Sequence, residues 1–254
     1  MSIDAKALAG ARQLLTPILG GPSRCLAPLG HGEADRTLRG GLMRGALHEV
    51  FAADAAGSGF ALGLARRASG TKRFLWIVQD YSALEHGQVS ATGLAEFGID
   101  PACALLMRAA NATDALRAGA DALSCSALGA VIVEIPGNPK ILDLTASRRL
   151  VLGAQTSGVT ALLLRSEAEI EPSAAQTRWR VRSARSTGTD DWGQPRFDAE
   201  LVRNRHGETG RWMMEWCCDD DAFGDPFEQA AHSGAVVSAA SDRSSASPPQ
   251  RRAG

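Results

Sequence analysis

The stretch Ala46-Leu47-His48-Glu49-Val50-Phe51, followed by Ala52-Ala53-Asp54-Ala55-Ala56-Gly57-Ser58-Gly59 and then by Phe60-Ala61-Leu62-Gly63-Leu64-Ala65, reads as strand, loop and helix. This is the setting of a phosphate-binding loop, whose motif is G-x-x-x-x-G-K-[ST]. Ala52 stands where the first Gly belongs, Ser58 where the Lys belongs, and Gly59 where the Ser or Thr belongs; only Gly57 matches. In a working loop the Lys brings positive charge to the β- and γ-phosphates and the hydroxyl holds Mg²⁺. Ser58 and Gly59 supply neither. The architecture of a nucleotide-binding fold is therefore expected without its chemistry: no catalytic residue, no bound nucleotide, no cofactor and no metal. Gly57 and Gly59 are then needed only for a tight turn and close helix packing. The rival reading, weak anion binding by free N–H groups at the helix start, is opposed by the negative charge of Asp54.

Working outward, apolar strands alternate with helical segments. Arg73 to Gln79 reads as a buried strand, Ala104 to Met107 as a short strand, Ala130 to Ile135 as a continuous apolar strand and Val159 to Leu164 as a further strand. Leu84 to Phe97 reads as a helix ended by Gly98, and Ala112 to Cys125 and Leu142 to Gln155 read as two more. Continuous apolar strands separated by helices indicate a parallel sheet covered on both faces. Right-handed crossovers then make this an α/β fold of mononucleotide-binding type. Thr177-Arg178-Trp179-Arg180-Val181-Arg182-Ser183 alternates with period two, which suits an antiparallel strand with one wet face. Two further strands are expected from Phe197 to Arg205 and from Arg211 to Trp216.

The boundaries expected are residues 1–37 for an N-terminal helix (Lys6 to Leu15) and a Gly/Pro/Arg-rich connector, 38–216 for the core, and 217–254 for an acidic segment and disordered tail. The tail beyond about Gln229 is Ala, Ser, Pro and Arg, too poor in large apolar groups to offset ordering entropy. Among 254 residues, 22% are charged and the formal net charge is −1, so no overall field favours nucleic acid or membrane. Five cysteines without C-x-x-C spacing and five scattered histidines give no metal pattern. With no signal peptide and no long apolar run, a soluble cytoplasmic protein is expected.

The order of these features resembles the RecA core. Gly40 to Phe51 looks like the entry into its phosphate loop, and Gly129-Ala130-Val131-Ile132-Val133-Glu134 looks like its Walker B strand, with Glu134 at the acidic position. Within that superfamily the chain resembles the ImuA family, bacterial RecA-like proteins of the SOS-inducible mutagenesis cassette. The resemblance covers roughly residues 38 to 216. It rests on Leu75-Trp76-Ile77-Val78-Gln79, Gly93-Leu94-Ala95-Glu96-Phe97-Gly98, Ala174 to Val181, Leu201 to Gly207, Gly210-Arg211-Trp212 and Glu215-Trp216. It implies a RecA-like three-layer fold and a non-catalytic adaptor in error-prone translesion DNA synthesis. The implied partners are an ImuB-type pseudo-polymerase, an error-prone DnaE-type polymerase and RecA itself. Two other classes compete: a SulA-like cell-division inhibitor and a weak, atypical DNA-dependent ATPase.

Two surfaces are candidates for contact with partners. Arg178, Arg180 and Arg182 should share one strand face with Arg185 just beyond, either as a phosphate-tracking strip or as an ion-paired surface. Arg196, Arg203, Arg205 and Arg211 are candidates to enlarge it. Trp179 should point the opposite way, into the core. Phe223 and Phe227 are apolar anchors in an acidic segment, the pattern of a short docking motif. The alternative there is a bland tail. Against DNA, the connections after Glu134 and Leu164 are short, and the second carries Glu167, Glu169 and Glu171. RecA-style filament binding to single strands is not expected.

Overall fold

The computed structural model describes residues 25–85, 87–186 and 193–226. The expected helix at Lys6–Leu15, the C-terminal tail and Phe227 lie outside the described residues. The described chain opens with β1 (Leu26–Ala27), α1 (Gly32–Thr37) and β2 (Leu42–Met43). It continues through β3 (Leu47–Ala52), α2 (Ala56–Ser69), β4 (Arg73–Gln79), α3 (Asp80–Glu85), α4 (Ala91–Glu96), β5 (Ala104–Ala109) and α5 (Ala112–Ala122). Then come β6 (Leu128–Glu134), α6 (Leu144–Ser157), β7 (Thr160–Ser166), β8 (Thr177–Ser183), β9 (Arg196–Asn204), β10 (Gly210–Cys217) and β11 (Ala222–Gly224).

Strands β3 to β11 form one 9-stranded sheet in the order β11-β10-β9-β8-β3-β7-β6-β4-β5. From β8 to β5 every pairing is parallel, and β9, β10 and β11 are antiparallel. Side chains alternate between the two sheet faces with period two. On one face Val50, Trp76, Ala130, Ile132, Leu162 and Leu164 pack with α2. On the other, Leu47, Ile77, Val131, Val133, Ala161 and Leu163 pack with residues of α5 and α6. Two apolar cores thus sandwich one sheet, the RecA-like α/β arrangement that the continuous apolar strands predict.

Four local expectations differ from the structure. The helix expected over Leu84–Phe97 is broken into α3 and α4. Gly87 lies at φ +85°, a conformation that ends a helix, and the Ser90 hydroxyl restarts one by accepting from the Gly93 N–H at 3.0 Å. Strand β8 is not simply antiparallel: it lies inside the sheet, parallel to β3 and antiparallel to β9. Its alternation reflects helix cover on one face rather than strand direction. The connector expected before Leu38 is structured as well where it is described. Its Ala27 and Leu29, both 0% exposed, join Leu42 in the α2-side core. Finally, the acidic segment is no loose tail where it is described, because β11 closes the sheet's edge.

A polar relay ties three strands together beneath β2. The Trp179 indole N–H donates to Thr177 Oγ1 at 3.1 Å, and His48 Nδ1 lies 2.7 Å from the same hydroxyl. Across the ring, Nε2 meets the Met43 carbonyl at 2.8 Å. A carbonyl only accepts, so Nε2 carries the proton and Nδ1 accepts from Thr177. Burial pushes the His48 pKa down to about 4, against the opposing pull of the Met43 carbonyl. The unfolded chain therefore binds this proton more readily than the folded one. Stability should fall as pH drops from about 6.5 towards 4, by about 3 kcal/mol in total from this group. Urea unfolding across that window checks it: His48→Gln should flatten the slope, and an unchanged slope would refute the assignment.

Candidate functional site at the carboxyl edge of the sheet

The Ala52–Gly59 segment sits where β3 hands over to α2, at the carboxyl edge of the parallel strands. Helix α2 starts at Ala56, so Gly57, Ser58 and Gly59 form its first turn. The backbone groups that would face an anion have other partners. Ala56 N–H donates to Asp54 Oδ1 at 3.0 Å. Gly57 N–H donates to the Asp54 carbonyl at 3.2 Å and Gly59 N–H to the Ala55 carbonyl at 3.3 Å. Asp54 Oδ2 accepts from the Ser183 N–H at 3.0 Å and its hydroxyl at 2.7 Å, which latches the loop to the end of β8. Burial alone would raise the Asp54 pKa. The hydrogen bonds from Ser183 and Ala56, with the nearby Arg182 charge, outweigh that and hold it below the usual carboxylate range. A fixed anion therefore occupies the entrance to the helix.

The glycines are explained by packing. A Cβ on Gly57 would lie 2.6 Å from the Ala52 Cβ and 3.1 Å from Leu164 Cδ1. One on Gly59 would come within 3.3 Å of the Phe197 ring. Ala52 thus packs directly against Gly57. Side by side they let α2 press onto β3 and β7.

Beyond the loop opens a cleft of about 500 Å³, walled by Asp54, Ser58, Trp76, Val78, Leu94, Leu106 and Glu134 among others. Most of this wall is apolar. Glu134 ends β6 and is 7% exposed, and its carbonyl accepts from Gln79 Nε2 at 3.3 Å. Asp80 begins α3 and pairs with Arg108 Nε at 2.8 Å. The pairing places that carboxylate and Arg108 together at the rim. Among the described residues no grouping of three His, Cys, Asp or Glu side chains has metal-holding geometry. Burial, and then neighbouring carboxylates, push the Cys217 and Cys218 thiols up, so neither is a thiolate near neutral pH.

The arginine strip is only partly open. Arg178 is 6% exposed and donates to Glu49 Oε2 at 2.7 Å, so it is removed from any phosphate-tracking surface. Arg180 pairs with Glu200 at 3.0 Å. Arg182 and Arg185 remain exposed. Of the flanking residues, Arg211 pairs with Asp198 and Arg196 with Glu215, while Arg203 and Arg205 donate to the carbonyls of Ser173 and Ala174. The arginine-rich alternation is largely an ion-paired surface, and Trp179 points into the core as expected.

Phe223 is corrected outright. It is 1% exposed, and its ring lies 5.0 Å from those of both Phe60 and Trp216. It fits because Gly63 on α2 lacks a side chain: a Cβ there would lie 2.5 Å from the Phe223 ring. The acidic turn before it is held by Arg66, which pairs with Asp221, and by Arg67, which donates to the Asp221 carbonyl at 3.1 Å. Hairpin formation turns the apolar anchor inward, which an acidic composition alone does not reveal. Sequence reasoning also missed Ser183 as the partner of Asp54, and Leu106 as a cleft and edge residue. Only the alternation in β8 hints at the first, and the second depends on strand order.

No family model matches the chain. It is similar to Protein ImuA of Caulobacter vibrioides, strain NA1000 / CB15N, at 29% identity over 197 residues, which is 69% of this chain and 77% of that protein. Protein ImuA of strain ATCC 19089 / CIP 103742 / CB 15 matches at the same identity over the same span. No helix among the described residues is long and apolar enough to cross a membrane. The chain is thus similar to Protein ImuA over most of both sequences, and its large, mostly parallel sheet with antiparallel C-terminal strands is consistent with a RecA-like fold.

Proposed function

We propose that this protein is a non-catalytic RecA-like adaptor in SOS-induced, error-prone translesion DNA synthesis. Its ImuA similarity supports a role within the mutagenesis cassette. In this reading it bridges an ImuB-type pseudo-polymerase, an error-prone DnaE-type polymerase and RecA. The observation that carries the non-catalytic part is the self-occupied loop: Asp54 sits on the helix start, and the Ala56, Gly57 and Gly59 N–H groups have partners within the chain. Electrostatic stabilisation of a transferring phosphoryl group requires cations and free donors aimed at it. This loop offers a carboxylate. The long C-terminal hairpins through β11, which complete the α2-side core, favour the mutagenesis reading over a SulA-like inhibitor.

Nucleotide binding and turnover provide the direct test. Radiolabelled ATP with Mg²⁺ should give neither saturable binding nor hydrolysis, with or without single-stranded DNA. Turnover that disappears when Gly57 is changed to Leu would defeat the adaptor reading. On the partner side, the tagged chain recovered after DNA damage should bring down a clamp-binding pseudo-polymerase. Recovery of the tubulin-like division protein instead, with filamentous cells on overexpression, would favour the SulA-like alternative.

A further inference from the structure

The wall of the cleft at the carboxyl edge holds polar atoms that the described chain does not satisfy. Trp76 is 3% exposed, and its indole N–H has no hydrogen-bond partner among the described residues. The Ser166 hydroxyl oxygen, buried at the end of β7, has none there either. Both residues line the same cleft of about 500 Å³. A buried donor left unpaired costs its full desolvation, and folded proteins seldom keep one without a partner. An indole N–H only donates. Whatever pairs with Trp76 must bring an acceptor.

The rest of the wall sets the character of that partner. Leu62, Val78, Leu94 and Leu164 give it apolar surface from α2, β4, α4 and β7. The charged residues described in the wall are Asp54, Glu134 and Arg108. Arg108 is paired with Asp80, and Asp54 already accepts from Ala56 and Ser183. With two carboxylates and its one cation neutralised, this wall repels a phosphate or a sulfonate. Its place in the fold suits a small molecule. Helix α2, after β3, packs on one face of the sheet and α6, after β6, on the other. Open α/β sheets bind ligands outside the carboxyl ends of their strands, where connections part in this way. The volume also falls in the range of about 300–1,000 Å³ usual for such sites.

We propose that this cleft binds an uncharged, mainly apolar small molecule whose carbonyl oxygen or ring nitrogen accepts from the Trp76 indole N–H. The Ser166 hydroxyl offers the same molecule a second polar contact. A nucleotide is excluded by its charge. The inference rests on the wall of the cleft and is independent of the adaptor reading, since no partner protein and no phosphoryl chemistry enter it.

Prodan, an uncharged naphthalene carrying a ketone, is titrated into the full-length protein and followed by its own fluorescence. It should bind saturably in the micromolar range, one molecule per chain, with its emission shifted to the blue. Trp76→Phe keeps the apolar bulk and removes the donor, and should weaken binding about fivefold, the worth of one hydrogen bond. Ser58→Trp adds a ring at a half-buried wall position on α2 and should abolish binding by filling the cleft. Both variants should keep the wild-type circular dichroism spectrum in the far ultraviolet. Excess ATP should displace none of the bound Prodan, and anionic anilinonaphthalene sulfonate should bind far more weakly. A wild type that does not bind Prodan saturably overturns the proposal, the result expected if the chain's own residues fill the cleft. Unchanged affinity in Ser58→Trp places the dye elsewhere and overturns it too. So does unchanged affinity in Trp76→Phe, or displacement by ATP.

Discussion

Glu49→Gln should cost about 3–5 kcal/mol of unfolding free energy, the usual consequence of leaving one member of a buried ion pair uncompensated. The Glu49 and Arg178 side chains are 2% and 7% exposed, and Arg178 has one further side-chain partner, the Ser173 hydroxyl at 2.8 Å. Arg165 lies close by. Burial lowers its pKa, and the Glu49 charge is the largest influence opposing that. Glutamine still accepts a hydrogen bond but removes the charge that offsets the mutual repulsion of Arg165 and Arg178, leaving Glu171 as the other carboxylate acting on Arg165. A guanidinium does not escape by losing its proton, so the structure must open or admit water. Replacing both partners, Glu49→Leu with Arg178→Met, should be far milder, because the desolvation of both ions is removed with their attraction. Urea unfolding of the two single variants and the pair gives the coupling directly. A single-variant loss below about 1 kcal/mol would mean that the site is wetter than its exposure indicates.

Phe223→Ala should cost about 3–5 kcal/mol, the range for truncating a fully packed aromatic residue. Its ring closes a cluster with Phe60, Phe197 and Trp216, and its backbone N–H donates to the Leu29 carbonyl at 2.9 Å. Losing the ring should loosen β11 from both β10 and the segment around Leu29. Near-ultraviolet circular dichroism should change too, since Trp216 loses its edge-on neighbour. If Phe223 instead served as a surface anchor for a partner, the stability change would stay within about 0.5 kcal/mol, as for other exposed positions. Denaturant midpoints for this one variant therefore separate an anchor from a core residue.

The layered core was legible because its central strands β3, β6 and β7 are buried on both sides. Val131, Ile132 and Val133 are apolar regardless of which face they meet, and the helices between strands carry their own period. Arg178 was not legible. Its partner Glu49 is 129 positions away, and they meet only because β8 crosses back to lie beside β3. Local alternation is the same for a wet face and for a face whose first arginine is buried. Phe223 misled for the opposite reason: its neighbours in sequence are acidic, while its neighbours in space are aromatic.

By itself the sequence determined the alternation of strands and helices and the two-sided core, both properties of consecutive residues. Only the tertiary structure decided which arginines are ion-paired, that Asp54 closes the loop against Ser183, and that β5 is an edge strand of the sheet among the described residues. Those outcomes depend on strand order. That order is set by how distant segments share a sheet, and no local period records it.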